Sequence, residues 1–423
     1  MDDRWFRLFW LGDHCRYVAK TMKHKLLLLL TVFLVAGCQP LPDQSSESTK
    51  KQSSPEKQTG LLRFEVKCLV VDTNEACDTG DINNDGHMDI VAGRNWFAGP
   101  EFLSRPVRSI GKFGDDYSEN NGEHLFDIDG DGWLDVVSGS FLPTEIKWFK
   151  NPGEDGLKAG KLWIENTLAE TGFSQNEMSW LRDMDGDGTP EFVTNSWNKD
   201  MRLAWWKIHK GDAKGKLPAA TSVIVGTTNG HGQGYGDLNG DGREDIVFGN
   251  GWYERPAENA NKGRWPLHSD FILPHASCPI LVLDVDQDGR NDLVWGSGHN
   301  YGLNFFRQLE PKDGKLQWDR QEIDGSWSQA HALALADIDG DRQQEIITGK
   351  RVRAHSGKDP GANEEAAIYY YDWDASKKKF TRNLVARGIG TGLQIRVADM
   401  NSDELLDIVV AGKDGTQVIF QVK

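Results

Sequence analysis

From residue 61 to the end of the chain, short runs of β-branched and aromatic residues are broken by polar, glycine-rich turns. Within the runs apolar and polar side chains alternate, which predicts strands, and long helices are not expected. One unit recurs seven times, with the pattern D-x-[DN]-x-D-G-x-x-[DE] followed by a β-branched run. It reads DINNDGHMD from Asp81, DIDGDGWLD from Asp127, DMDGDGTPE from Asp183, DLNGDGRED from Asp237, DVDQDGRND from Asp284, DIDGDRQQE from Asp337 and DMNSDELLD from Asp399. Successive first aspartates lie 46, 56, 54, 47, 53 and 62 residues apart, room for a four-stranded sheet with loops of variable length. Aromatic pairs follow most second strands (Trp96-Phe97, Trp148-Phe149, Trp205-Trp206, Trp252-Tyr253, Phe305-Phe306, Tyr370-Tyr371), and packing between sheets is their expected role. The prediction is an all-β, seven-bladed β-propeller. After the seventh loop too little chain remains for four strands, whereas Leu61 to Val71 alternates without a sheet of its own. The N-terminal strand is therefore expected to complete blade seven and remove the exposed edges.

The loops carry the first candidate chemistry. Side-chain oxygens recur at positions 1, 3, 5 and 9, and the backbone carbonyl of position 7 offers another ligand. The implied metal ligands are Asp81, Asn83, Asp85, His87 and Asp89; Asp127, Asp129, Asp131, Trp133 and Asp135; and Asp183, Asp185, Asp187, Thr189 and Glu191. They continue with Asp237, Asn239, Asp241, Arg243 and Asp245; Asp284, Asp286, Asp288, Arg290 and Asp292; Asp337, Asp339, Asp341 and Glu345; and Asp399, Asn401, Asp403 and Asp407. Carboxylates at alternate positions converge on one ion only if the chain turns sharply, and the glycine at position 6 permits the positive φ that this needs. A ligand set of oxygen alone suits Ca²⁺, with Mg²⁺ second. Arg342 and Glu404 replace that glycine in loops 6 and 7, which makes metal there less expected. The loops hold 25 of the 64 acidic residues, so the formal charge of −16 is mostly loop charge, and the 14 positive charges of seven divalent ions would reduce it to −2. No basic run offsets it, so nucleic acid is not a predicted partner.

Residues 22–38 read MKHKLLLLLTVFLVAGC, a basic start, a short apolar run and small residues before Cys38. This predicts a bacterial lipoprotein signal with lipid on Cys38, a start at Met22, and localisation in the cell envelope, with the outer membrane mildly preferred. The apolar run is too short to span a bilayer. Gln39 to Gly60, rich in Ser, Gln, Lys and Pro, reads as a disordered tether. Cys68, Cys77 and Cys278 remain in the folded part, where a Cys68–Cys77 bridge and buried free thiols are both open. A monomer is the expectation.

The loops resemble the FG-GAP or VCBS repeats of integrin-type β-propellers over about residues 62–423. That resemblance implies that the loops share one face and that the opposite face is the functional mouth. Residues just before each first strand and just after each second strand would build it. Asn176, Glu177, Trp197, His231 and Trp252 are the candidate substrate-binding residues, amides and aromatic rings suited to carbohydrate. His231, His299, His331 and His355 could together hold Zn²⁺ or supply a base, although sequence alone does not bring them together. The densest cluster is GKRVRAHSGKDPG, from Gly349 to Gly361, in the longest insert. The order QAH, DIDGD, then GKR and DPG also resembles the propeller domain of aldos-2-ulose dehydratases. This implies a keto-sugar lyase with His331 as base, Lys350 and Arg351 or a cation stabilising an enolate, and His299 and His355 nearby. A non-catalytic envelope module that binds glycan or protein is the alternative.

Overall fold

The computed structural model describes residues 62–423 apart from positions 115, 199 and 213. The leader, Cys38 and the tether lie outside the described residues. Among the described residues no helix is long and apolar enough to cross a membrane.

The arrangement is that of a β-propeller. Each acidic loop joins the first and second strands of an antiparallel four-stranded unit, as loop 1 joins Asp78–Gly80 to Asp89–Ala92. Five of these units are separate sheets, where seven separate sheets were predicted. The other two, bearing loops 4 and 5, form one eight-stranded sheet through a short parallel pairing of Gly234 and Tyr235 with Ile280 and Leu281. Glycine is the physical reason: a Cβ on Gly234 would lie 1.9 Å from the carbonyl oxygen of Ile280, so only a bare backbone allows this approach. The N-terminal strand Arg63–Val70 pairs with Gly415–Val422 and becomes the outer strand of the sheet that carries loop 7.

The aromatic pairs explain how consecutive sheets hold together. Successive residues of a strand point to opposite faces. Trp148 accordingly packs forward against Phe192 and Trp206 of the next sheet, while Phe149 packs backward against Val91 and Trp96 of the preceding one. The same split recurs at Trp205 and Trp206, Trp252 and Tyr253, Phe305 and Phe306, and Tyr370 and Tyr371. In the last sheet the pair is Val418 and Ile419, and Val418 shares its cluster with Ile90 and Phe97 of the first sheet. Trp252, predicted for the mouth, is therefore a core residue. It is buried, stacked on His268 at 4.2 Å, and donates from Nε1 to Asp270.

Position 9 of every loop is buried, and it staples the sheet. Asp89, Asp135, Asp245, Asp292 and Asp407 each accept two backbone N–H bonds, one from loop position 2 and one from the third strand or the residues just after it. Glu191 and Glu345 accept the first of these bonds. In every loop the position-1 carboxylate accepts the N–H of position 6. Position 6 has positive φ even where it is Arg342 (78°) or Glu404 (71°), so loops 6 and 7 keep the turn that glycine makes easy elsewhere. The cysteines are free: Cys68 is exposed, and Cys77 and Cys278 are buried.

Removing a charged acceptor from a buried pair of N–H donors costs about 1–3 kcal/mol. Asp292→Asn should lower unfolding free energy by that amount, and Glu345→Gln, at a side chain with one such bond, by less; denaturant melts of both decide it, and equal losses would contradict the staple. Burial first, with the loop carboxylates adding, pushes Asp89 and Asp407 up to about 6 and Asp135, Glu191, Asp245, Asp292 and Glu345 up to about 7. An acid whose folded pKa is raised stabilises the fold fully below its unfolded value near 4, and this contribution is lost as pH rises through the folded value. In chelator the melting temperature should fall between pH 6.5 and 8, and added calcium should restore it at pH 8. A rise over that interval would contradict the assignment.

Candidate metal centre

Four of the predicted mouth residues meet although they come from separate units. Glu177 lies on the inner strand Asn176–Arg182 and His331 on the inner strand Ala330–Ala336. His231 precedes the strand Gln233–Gly236, and His299 sits in the turn between Asp292–Gly296 and Tyr301–Lys312. Left-handed Gln175 and Gln329 turn the chain into the two inner strands. Gly298 makes room for the ring of His331, since a Cβ there would lie 2.8 Å from His331 Cδ2.

The donor atoms point at one another. His231 Nε2 is 3.2 Å from His299 Nε2, 3.2 Å from His331 Nε2 and 3.0 Å from Glu177 Oε2. Glu177 Oε1 is 3.1 Å from His331 Nε2 and 4.0 Å from His299 Nε2. His299 donates from Nδ1 to Asp359 at 2.8 Å, which in the neutral ring leaves Nε2 as a bare lone pair. Only His231 and His331 can then carry a proton on Nε2, so two hydrogens serve four close contacts and lone pairs are left facing each other. A cation at the centre removes the conflict. Tetrahedral Zn²⁺ with nitrogen at about 2.0–2.1 Å has ligands about 3.3 Å apart, close to the spacing present.

Charge and burial agree with such an ion. Burial alone would raise the Glu177 carboxyl, but His231 and His331 beside it hold it well below the usual carboxylate range. Burial, only partly offset by Asp359, lowers His299 to about 3, and burial against the opposing pull of Glu177 lowers His331 to about 4. One anion and two neutral imidazoles, those of His299 and His331, are thus presented. Asn195 donates to Glu177 Oε2 at 3.4 Å and helps to orient it. Met178, next to Glu177, packs with Cys278 and Leu393 in an apolar cluster beside the site. His331 Nδ1 is buried and finds no partner among the described residues, so that ring lacks the outer hydrogen bond that His299 has.

The insert after Glu345–Lys350 covers this centre. His355, half exposed, stacks on His299 at 4.4 Å and donates from Nδ1 to Asp359 at 2.8 Å. Asp359 therefore holds two imidazoles, whose hydrogen bonds outweigh burial and keep its carboxyl below the usual range. Sequence reading missed Asp359; its signal was a carboxylate four residues after His355 in the longest insert. Arg353, His355 and Ser356 are all left-handed (φ 48°, 47° and 54°), a strained run held by its surroundings.

Lys350 and Arg351 take other roles than those predicted. Lys350, lowered to about 8 chiefly by burial, donates to Gly361 O at 2.6 Å and Ser328 Oγ at 2.7 Å, tying down the end of the insert. Arg351 forms a buried two-pronged pair with Glu75 (2.7 and 3.0 Å) that brings Arg351 Nη1 to 3.8 Å from Glu177. Asn176 is a buried structural amide that donates to Phe173 O at 2.8 Å. Trp197 does reach the site, 39% exposed, with its ring 4.6 Å from His231 and 5.4 Å from His299.

The loops were tested in the same way. Donor oxygens of positions 1, 3 and 9 lie within 4.8 Å of one another in loops 2, 3 and 5, as an oxygen-only cation site requires. The family model described as FG-GAP-like repeat matches residues 183–248 and 284–348, the spans of loops 3 to 6. Integrin alpha pat-2 of Caenorhabditis briggsae is 24% identical over 239 residues, which are 46% of this chain and 18% of that protein. The chain thus spans under a fifth of that relative's length. The crystal structure of the V. cholerae biofilm matrix protein Bap1 superposes with a TM-score of 0.41 and 10% identity, over 84% of this chain and 88% of that one.

Zinc added to metal-free protein should raise the melting temperature and bind with one-to-one stoichiometry, read by calorimetry. His299→Ala and Glu177→Gln should abolish this, and Asp359→Asn should weaken affinity about 10–100-fold as lost outer-shell support. Unchanged zinc affinity in His299→Ala would overturn the centre.

Proposed function

We propose that this protein is a seven-bladed, calcium-loop β-propeller lipoprotein of the cell envelope, whose central Zn²⁺-type site acts on carbohydrate as a keto-sugar lyase. The eight-stranded sheet counts as two blades on this reading, since it carries two loops and the same aromatic split as its neighbours. The observation that carries the function is the convergence of Glu177, His231, His299 and His331 beside the exposed ring of Trp197.

Zn²⁺ held there would supply Lewis-acid polarisation of a carbonyl oxygen. Trp197 offers a face on which a sugar ring can stack. With His331 engaged in the centre, His355 is the better base: Asp359 takes its Nδ1–H, which leaves Nε2 as the proton acceptor. His355 removes the proton α to the ketone, the C–H electron pair becomes the new C=C bond, and the hydroxyl on the next carbon takes that proton back from His355 and leaves as water. Arg351, paired with Glu75, lies 3.8 Å from Glu177, and Lys350 positions the insert. Lipid on Cys38 would hold the protein at the membrane.

A non-catalytic module that binds glycan or a protein partner is the second reading. It is favoured by the count of donors, because three imidazoles and a carboxylate already fill a tetrahedron, as in structural zinc sites.

Incubation of zinc-loaded protein with 1,5-anhydrofructose and other keto-sugars separates the two. The lyase reading expects growing enone absorbance, a loss of about 10²–10⁴-fold in His355→Ala with zinc content unchanged, and loss of both zinc and activity in His331→Ala. No absorbance with any keto-sugar overturns the lyase and leaves the binding module.

A further inference from the structure

The seven loops are not equivalent, and the residue that follows each inter-sheet pair divides them. At that place stand Ala98, Lys150, Lys207, Glu254, Arg307, Asp372 and Phe420 in loop order. The three basic residues reach back into their own acidic loops. Lys207 Nζ contacts Asp185, lies 2.7 Å from Asp187 Oδ2 and 3.7 Å from Glu191 Oε1. Lys150 Nζ contacts Asp129 and lies 2.6 Å from Asp131 Oδ2, and Arg307 Nη1 is 3.1 Å from Asp286 Oδ2.

The sequence of each loop follows the same division. Where the basic residue is present, position 3 is an aspartate (Asp129, Asp185, Asp286). In loops 1, 4 and 7, which lack it, position 3 is Asn83, Asn239 or Asn401. The extra carboxylate and the extra cation arrive together, so the net side-chain charge of positions 1, 3, 5 and 9 with this residue is −3 in loops 1, 2, 3, 5 and 7, and −4 in loop 4, where Glu254 stands. Loop 6 departs, with Asp339 at position 3 and Asp372 as a further acid; burial first, then the charges of Asp341 and Asp372, raise the Asp339 carboxyl. Buried carboxylate oxygens without a hydrogen-bond partner occur in the cation-bearing loops, and also in loop 6 at Asp337 Oδ1. Asp129 Oδ1, Asp286 Oδ1 and Glu191 Oε1 are buried without a hydrogen-bond partner, and Glu191 is wholly buried.

We infer that Lys150, Lys207 and Arg307 are built-in counter-cations, and that loops 2, 3 and 5 hold no divalent ion in the native protein. This deepens, and rests on, the reading of the other loops as calcium sites. An ammonium tethered to the neighbouring strand competes at high effective concentration for the oxygens a calcium ion would take. Two cations cannot share those oxygens without strong repulsion at such separations. The ligand pattern alone marks all seven loops for calcium, and in these three it fails because the place is already taken by the chain.

Calcium bound by the full chain is counted by equilibrium dialysis and elemental analysis at saturating calcium, with Lys207→Met and Lys150→Met chosen because they keep the apolar stem. Native protein should bind about four ions per chain, and each variant one more. In chelator each variant should melt below the native protein, and calcium should return it to the native value. Seven ions in the native protein with no gain in either variant overturns the inference while the calcium reading stands. No calcium in native or variant protein overturns the calcium reading and the inference with it. A variant that does not fold is replaced by the matching Lys→Gln change, read by the same count.

Discussion

A buried carboxylate at the start of each second strand is the contact on which the rest of this molecule depends. In five units its two oxygens take one N–H from the acidic loop and one from the third strand or the residues just after it, so loop, second strand and third strand are fixed by a single side chain. The group lies in the interior at almost no exposure, where an unmet backbone donor would be costly. The same carboxylates crowd others in the loop, and burial makes their ionisation unfavourable. The fold thus carries a repeated electrostatic strain that protonation or a nearby cation relieves. Loops 2, 3 and 5 meet part of it with Lys150, Lys207 and Arg307.

Fixing the loop end of each unit fixes the opposite ends of the inner strands as well. Glu177 and His331 precede their loops along inner strands, while His231 and His299 sit in turns at the ends of strands one unit apart. Rigid sheets and alternating aromatic contacts between them hold these donors at ligand spacing without help from flexible segments. The one strained segment near the centre, Arg353 to Ser356, carries His355 over the histidines and is tied down through Asp359 and Lys350.

Most of the fold was legible in the chain because its signals are local and repeated. The acidic pattern fixes the turn, and the aromatic pair fixes which side chain packs forward and which backward. The merging of two units at Gly234 and Ile280 was not legible, since it follows from the absence of one Cβ against a carbonyl that is 46 residues away in sequence (280 − 234) and adjacent in space. The donors of the mouth could be named, but not their meeting, because they lie in four units and share no spacing. Trp252 was misplaced for a related reason: its neighbours Asn250 and Gly251 resemble mouth residues, yet strand alternation turns its ring into the core. Lys350 and Arg351 looked catalytic by charge, whereas burial gives them structural partners in Gly361 and Glu75.

The central claim is that three imidazole nitrogens and one carboxylate oxygen from different units surround a single ion. X-ray absorption at the zinc edge of the loaded protein tests this most directly, because it counts and ranges the atoms around the metal. The account predicts about three histidine nitrogens and one oxygen at about 2.0–2.2 Å, with imidazole outer-shell scattering that weakens in His299→Ala. A first shell of oxygen alone, without imidazole scattering, would place the metal in the acidic loops and contradict the account.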